Sequence, residues 1–306
     1  MSWKPIVVGV DTSAAAAGAA QLGLKIAARA GVGCRMVHVS RDPWTAVADA
    51  ASPEQSAAFL ATARWAARMR VQEALAGHVP GDLLRDIEVG QGWPPAVLDD
   101  VVREAGAGLL VLGAKHHTAL GRWLGGSTVH NVARMLRAPL LVTGTPPPEI
   151  RRVLAAVDTS AAAGPTLETA ARFADVFDAE LRVLHVIEPL PIQPEVPPAA
   201  NLRDYEQLLE EECAEKIWPL VRPDTEKVIR HAMPDAGIQA EATDWQADVV
   251  VVGSHGKGFV ERMLVGSVTE RLLNHLPSAM LLVVPAGRPA RAASRPSTSR
   301  ATTAGV

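Results

Sequence analysis

The sequence predicts an α/β protein of two tandem domains, each an open five-stranded parallel sheet with helices on both faces. Three observations lead there. Short β-branched apolar runs alternate with helix-forming stretches along the chain, the pattern of crossovers packed on both sides of a parallel sheet. The string IVVGVDTS at residues 6–13 returns as VLAAVDTS at residues 153–160, so Asp11 and Asp158 stand about 147 residues apart, the interval of one domain. A glycine-bearing segment also occurs twice, as LLVLGAKHHTALGRWLGGST at 109–128 and VVVVGSHGKGFVERMLVGSV at 249–268.

In the first copy, strands are expected near 5–10, 34–39, 84–89, 108–113 and 139–143, with helices between them. The helix from Gly18 to Ala30 is alanine-rich, with Leu22, Ile26 and Ala30 at four-residue spacing. The helix from Pro53 to Leu75 carries Phe59, Leu60, Trp65 and Met69 among polar residues. Thr143 to Pro148, TGTPPP, reads as a semi-rigid linker that holds the copies as a fixed pair.

The second copy opens on RVLAAVDTS, Arg152 to Ser160, and continues with a strand LRVLHV ending in His185 and Val186, the counterparts of His38 and Val39. A proline-rich stretch, Glu188 to Pro198, follows. It reads either as a lid over a ligand or as a surface connection into the helix Asn201 to Trp218. The run Asp248 to Val252 is too short for a helix and is β-branched, so it predicts a buried parallel strand ending in a glycine turn. Gly266 and Ser267 then open a helix from Val268 to Leu276. These boundaries divide the chain into domains at 1–145 and 149–286 and a tail at 287–306. The tail carries Arg288, Arg291, Arg295 and Arg300 with no acid, and its Ser, Thr, Pro and Ala content predicts a solvated, disordered arm.

The 306 residues suffice for two domains, each burying its own core. A formal net charge of -3 offers no electrostatic case for nucleic acid as a partner. No stretch approaches the roughly 20 apolar residues of a membrane span, and MSWKPIVVGVD enters a strand at once without a signal-peptide pattern. The two cysteines, Cys34 and Cys213, fall at non-equivalent places and form no disulfide or metal framework. Cys34 reads as a small buried apolar residue at the start of a strand, and Cys213 as a helix residue. A reducing, cytoplasmic setting is expected.

Chemistry concentrates in the glycine segments. Gly253, Gly256, Gly266 and Ser267 stand in G-x2-G-x9-G-S spacing, a pattern suited to an anion. Glycines bring backbone N–H groups close to a phosphate, and the N-terminus of the following helix adds unpaired donors and a favourable dipole. In the first copy Gly113, Gly126 and Ser127 match Gly253, Gly266 and Ser267, but His116 replaces Gly256. If that turn needs positive φ or close backbone contact with phosphate, a Cβ there is disfavoured, which predicts a weakened first site; His116 and His117 acting as phosphate donors are the competing reading. Lys257 is the candidate charged phosphate contact, and a solvated loop lysine is the alternative.

These segments together resemble the universal stress protein family over nearly everything from residue 5 to residue 285. The resemblance implies an adenine nucleotide alpha hydrolase-like fold and an ATP site. It implies further that Asp158, and Asp11 in the first copy, contacts the nucleoside, that the backbone around Val186, and Val39, meets adenine, and that the glycines and hydroxyl residue hold the phosphates. Magnesium is implied only through the phosphates. Family members pair through the fifth-strand region, here Leu140 to Val142 and Leu281 to Val284, which implies an internal pseudo-dimer; association of two chains remains open. For Asp11 and Asp158, capping of the following helix is a second reading, with Ser13 and Ser160 as rival caps.

Other nucleotide-binding patterns are missing. No G-x4-G-K-[ST] string occurs, and the first strand ends in VDTS where a dinucleotide fold would carry its glycines. Ser254, His255, His185 and Asp158 can be written as a Ser/His/Asp trio, but their spacing shows no nucleophile, base and orienter chain. Ser254 and His255 read as spacers, and His185 as a structural side chain at the sheet edge. The expected function is an ATP-binding, nucleotide-regulated binding or signalling module with an unidentified protein partner. A slow ATPase or phosphotransferase and a nucleotide-free interaction protein are the alternatives.

Overall fold

The computed structural model of the chain describes residues 3–40, 53–114, 127–135, 137–189, 202–256 and 265–285. The first copy runs β1 (Ile6–Gly9), α1 (Ala14–Ala30), β2 (Cys34–Ser40), α2 (Pro53–Leu75), α3 (Gly81–Arg85), β3 (Glu88–Gln91), α4 (Pro94–Glu104), β4 (Leu109–Gly113), α5 (Ser127–Met135) and β5 (Leu140–Thr143). The second runs β6 (Arg152–Ala156), α6 (Ala163–Phe177), β7 (Glu180–Ile187), α7 (Leu202–Lys216), a 3-10 turn (Trp218–Leu220), β8 (Glu226–His231), α8 (Pro234–Asp244), β9 (Val249–Gly253), α9 (Ser267–Asn274) and β10 (Met280–Val284).

The two copies do not form separate sheets. All ten strands join in one sheet of order β3-β2-β1-β4-β5-β10-β9-β6-β7-β8. Among the described residues the strand pairings within each copy are parallel and the one antiparallel strand pairing is the junction, where Leu281 faces Val142 and Leu282 faces Leu141. An edge strand with both faces apolar needs a partner, and here each copy supplies it to the other. The expected pairing of the fifth strands is thus the sheet's centre.

Helices α1, α2, α6 and α7 line one face and α4, α5, α8 and α9 the other, giving two core layers separated by the sheet. Contacts between the copies extend off the sheet. Arg29 of α1 lies over the Phe177 ring of α6, Arg172 of α6 lies over Trp3, and Arg134 of α5 pairs with Glu270 of α9 at 2.7 Å. The linker is tied down as well, since Lys25 donates to the Pro148 carbonyl.

Several expected boundaries move. Helix α1 starts at Ala14, four residues before Gly18, because Ser13 in extended conformation accepts a hydrogen bond from Ala16 N and so caps it. It ends at Gly31, which takes a left-handed φ of 67°. The strand expected at 84–89 is replaced by the short helix α3 and a strand at Glu88–Gln91. Leu83 and Leu84 pack on the core from that helix, and the register is held by Glu88, which accepts from Arg35 Nε and Nη2 at 2.8 Å. Helix α9 runs from Ser267 to Asn274 and α7 stops at Lys216, each slightly displaced from expectation. Helix α2 keeps its expected bounds. Its buried residues include Ala67, Val71 and Leu75, while Phe59, Trp65 and Met69 are exposed.

Cys213 is fully buried, whereas Cys34 is only half-buried, and the two are not joined in a disulfide. Burial still pushes the Cys34 thiol up to about 11, so the thiolate is scarce at neutral pH. Alkylation of Cys34 in the native protein at pH 8 is expected to run on the order of 100-fold slower than in the unfolded chain, read by mass spectrometry of iodoacetamide adducts. Equal rates would show that the thiol is not shielded.

Candidate functional site

In each half of the sheet the strand order reverses between β1 and β4, or β6 and β9, and a crevice opens there beyond the carboxyl ends of the strands. In the second copy that crevice is a cavity of about 420 Å³. Asp158, Val186, Gly253, Gly256, Gly266 and Ser267, far apart in sequence, all line it. Its walls are apolar where Leu184, Val252, Ile238 and Leu209 approach, and polar at Asp158, Thr166 and Ser267.

The first polar group is set by the turn after β6. Asp158 Oδ1 accepts from Ser160 N at 3.1 Å and from Ser160 Oγ at 2.5 Å, and Ser160 Oγ in turn accepts from Ala162 N at 3.3 Å. The first copy repeats the clamp, with Asp11 Oδ1 accepting from Ser13 N and Oγ, and Ser13 capping α1. Ser13 thus caps α1, Ser160 meets Ala162 N just ahead of α6, and in each copy the aspartate held by that serine lines the cavity.

His185 is buried and its Nδ1 lies 2.8 Å from the Val157 carbonyl, which can only accept, so Nδ1 carries the proton. His38 makes the same bond to the Val10 carbonyl at 2.9 Å. These histidines lock the turn that carries the aspartate to the neighbouring strand. Because β8 lies outside β7, His185 sits in the sheet interior and not at its edge. Ser254 is buried, and its Oγ lies 2.8 Å from His255 Nδ1. The arrangement at His185 serves the backbone.

The glycine turn is anchored at three points. Ser254 N donates to the Val284 carbonyl at 2.7 Å, Gly266 N to the Ser254 carbonyl at 2.8 Å, and Thr269 Oγ1 to the Gly253 carbonyl at 2.8 Å. None of Gly253, Gly256 and Gly266 has positive φ, so the expected need for an unusual backbone conformation gives way to a need for space. A Cβ on Gly256 would lie 2.5 Å from Asp158 Oδ2, and one on Gly253 3.1 Å from both the Ala162 Cβ and the His255 carbonyl oxygen. Gly113 is more constrained still, its Cβ falling 2.5 Å from the Ala15 carbonyl of α1. It is therefore required by the packing of α1 against β4 whatever else it touches.

The first copy also has a crevice cavity, of about 450 Å³, lined by Asp11, Val39, Gly113 and Thr128 among others. Gly126, His116 and His117 lie outside the described residues, as does Lys257 in the second copy. Ser127 opens α5. Among the described residues no group of three or more His, Cys, Asp or Glu side chains could hold a metal ion, and no helix is long and apolar enough to cross a membrane.

Sequence reasoning missed Thr269, Tyr205, Leu209 and Ile238. Comparing the copies highlights positions they share, and Thr269 is answered by Val129, so the hydroxyl that holds the Gly253 carbonyl leaves no repeated signal. Tyr205 and Leu209 reach the cavity four residues apart on α7, a spacing that reads equally as ordinary core packing.

The universal stress protein family profile matches the chain twice, over residues 2–144 and 149–285. The chain belongs to the universal stress protein family. It is 30% identical over 288 residues to the universal stress proteins MT2698 and Rv2623 from two strains of Mycobacterium tuberculosis, CDC 1551 / Oshkosh and ATCC 25618 / H37Rv, covering 87% of this chain and 91% of each relative. Among solved structures it superimposes on the functionally unknown protein PA1789 of Pseudomonas aeruginosa PAO1 with a TM-score of 0.61, at 18% identity and 92% coverage of both chains. A universal stress protein of Archaeoglobus fulgidus DSM 4304 gives 0.59 at 18% identity, covering 92% of this chain and 98% of that one. At this identity the likeness to these structures shows the fold alone.

Proposed function

We propose that this universal stress protein binds ATP in its second copy and acts in the cytoplasm as a nucleotide-regulated binding module of a stress response. The observation that carries the reading is the convergence of Asp158, Val186, Gly253, Gly256, Gly266 and Ser267 on one cavity of about 420 Å³. The residues present fit a nucleotide. The apolar walls from Leu184, Val252, Ile238 and Leu209 suit a purine, and the clamped Asp158 carboxylate suits ribose hydroxyls as an acceptor. The cradle near Gly256, where a Cβ would occupy the space beside Asp158, and the N-terminus of α9 suit phosphates. Lys257 would neutralise a terminal phosphate, and magnesium would be held by the phosphate oxygens. Two cysteines that form no disulfide among the described residues accord with a reducing compartment. The domain division at 1–145, 149–286 and 287–306 belongs to the same reading, the first domain being the weaker site because His116 stands where Gly256 does.

The test is the identity and amount of nucleotide released on denaturing freshly purified protein, followed by titration of the stripped chain with ATP and magnesium. About one adenine nucleotide per chain is expected from one competent pocket. About two would assign the first copy a working site, and none, with no binding on titration, would overturn the proposal in favour of a nucleotide-free interaction protein. Product formation in the same samples separates storage of the nucleotide from slow hydrolysis.

A further inference from the structure

Helices α2 and α7 are counterparts, each following the second strand of its copy. Both belong to the same core layer, α2 through Val71 and α7 through Cys213, and α1 and α6 lie between them in contact with each other. They therefore stand at opposite ends of one face of the molecule. Their outer surfaces are opposite in character.

On α2, Ala58, Ala61, Thr62, Trp65 and Met69 are exposed at helical spacing, with Trp65 64% and Met69 44% accessible. Arg64, Arg68 and Arg70 border this stripe, and none of the three has an ion-pair partner among the described residues. On α7, Leu208 is 61% accessible, and it shares the outer surface with Glu211, Ala214 and Glu215. The α7 sequence holds six acids against Arg203 and Lys216, and Lys216 is committed to Glu212 at 3.0 Å. One end of the face thus offers a tryptophan between arginines, and the other a leucine between glutamates.

We infer that α2 of one chain docks on α7 of a second copy of this chain. Trp65 and Met69 cover Leu208 and Ala214, and Arg64 and Arg68 meet Glu211 and Glu215 at the rim. Tryptophan and arginine are the residues that most often anchor such contacts, and charges of opposite sign set partner and orientation. Because both helices stand on the same face, a two-fold pairing of chains engages α2 with α7 twice and closes as a dimer. The contact is separate from the internal pairing of β5 with β10, and it does not depend on nucleotide.

The test is the mass of the full chain by light scattering across a concentration series. A dimer is expected at the upper concentrations, shifting toward monomer in about 1 M salt, where the screening length falls to about 3 Å. Arg64→Glu with Arg68→Glu, and separately Glu211→Arg with Glu215→Arg, should each weaken association at least roughly tenfold by placing like charges together. All four positions are exposed or at the helix surface, and circular dichroism verifies that the variants fold. The chain carrying both reversals should regain the dimer. A monomer at every concentration would overturn the inference. So would association lost only in the α2 variant, which would assign that stripe to a different partner. Loss of association on truncation after residue 286 would overturn it too, since the arginine-bearing tail would then be what α7 holds.

Discussion

Replacing Gly256 with tryptophan is expected to abolish nucleotide binding by the second copy while the sheet stays folded. The Cβ alone would fall 2.5 Å from Asp158 Oδ2, and Asp158 cannot simply swing away because its other oxygen is held by Ser160 N and Oγ. The turn must therefore move into the cavity, and the indole fills what remains. Losing a charge-assisted contact alone costs about 1.5–3 kcal/mol, so with the cavity filled the dissociation constant for ATP should rise at least roughly 100-fold. Equilibrium dialysis with ATP and magnesium reads both affinity and stoichiometry. Unchanged binding would refute the assignment of the site. Binding of about one nucleotide at micromolar affinity, left after wild-type binding of about two, would instead show that the first copy takes nucleotide despite His116.

The second large effect is on stability. Glu241 of α8 has a side chain only 3% exposed, and it accepts from Arg182 Nη1 at 2.7 Å and Arg230 Nε at 2.5 Å. Arg182 also pairs with Glu226 at 2.6 Å and lies over the Trp245 ring, 4.4 Å from its centroid, while Arg230 pairs with Asp244 at 2.6 Å. Glu241→Ala leaves the mostly buried Arg182 head without its inner carboxylate, and removing one partner of a buried pair costs about 3–5 kcal/mol. At slopes of roughly 2–3 kcal/mol per molar, the urea midpoint of the second copy should fall by about 1–2 M. Glu226→Ala, which removes a carboxylate 58% exposed, should cost within about 1 kcal/mol. Equal losses in the two variants would show that burial of Glu241 contributes nothing particular to the fold.

This cluster also marks where the repeat stops being informative. Arg35 in the first copy answers Arg182, but its partner Glu88 stands at the register position of Val228, and Val101 on α4 stands where α8 carries Glu241. Ion pairs that differ between copies do not show in a comparison that seeks likeness. The glutamate's burial follows from helix orientation, and the α8 sequence has too weak an apolar face to predict it.

What residue order alone carried was the strands other than β3, the doubling of the domain and the residues that meet at the second copy's cavity. Central parallel strands must be apolar on both faces, and glycines must sit where chain meets chain, so both leave local patterns such as VVVVG or VDTS that survive reading in one dimension. Tertiary structure alone decided the rest. It set the antiparallel register that joins the copies in one sheet, Leu281 beside Val142 and Leu282 beside Leu141, and turned Leu83 and Leu84 into a helix beside a shortened β3. It left Trp65 and Met69 facing solvent, and made Gly256 a matter of room beside Asp158 and not of backbone conformation. Each of these depends on which atoms approach across long sequence separations, and such distances are set only when the layers pack.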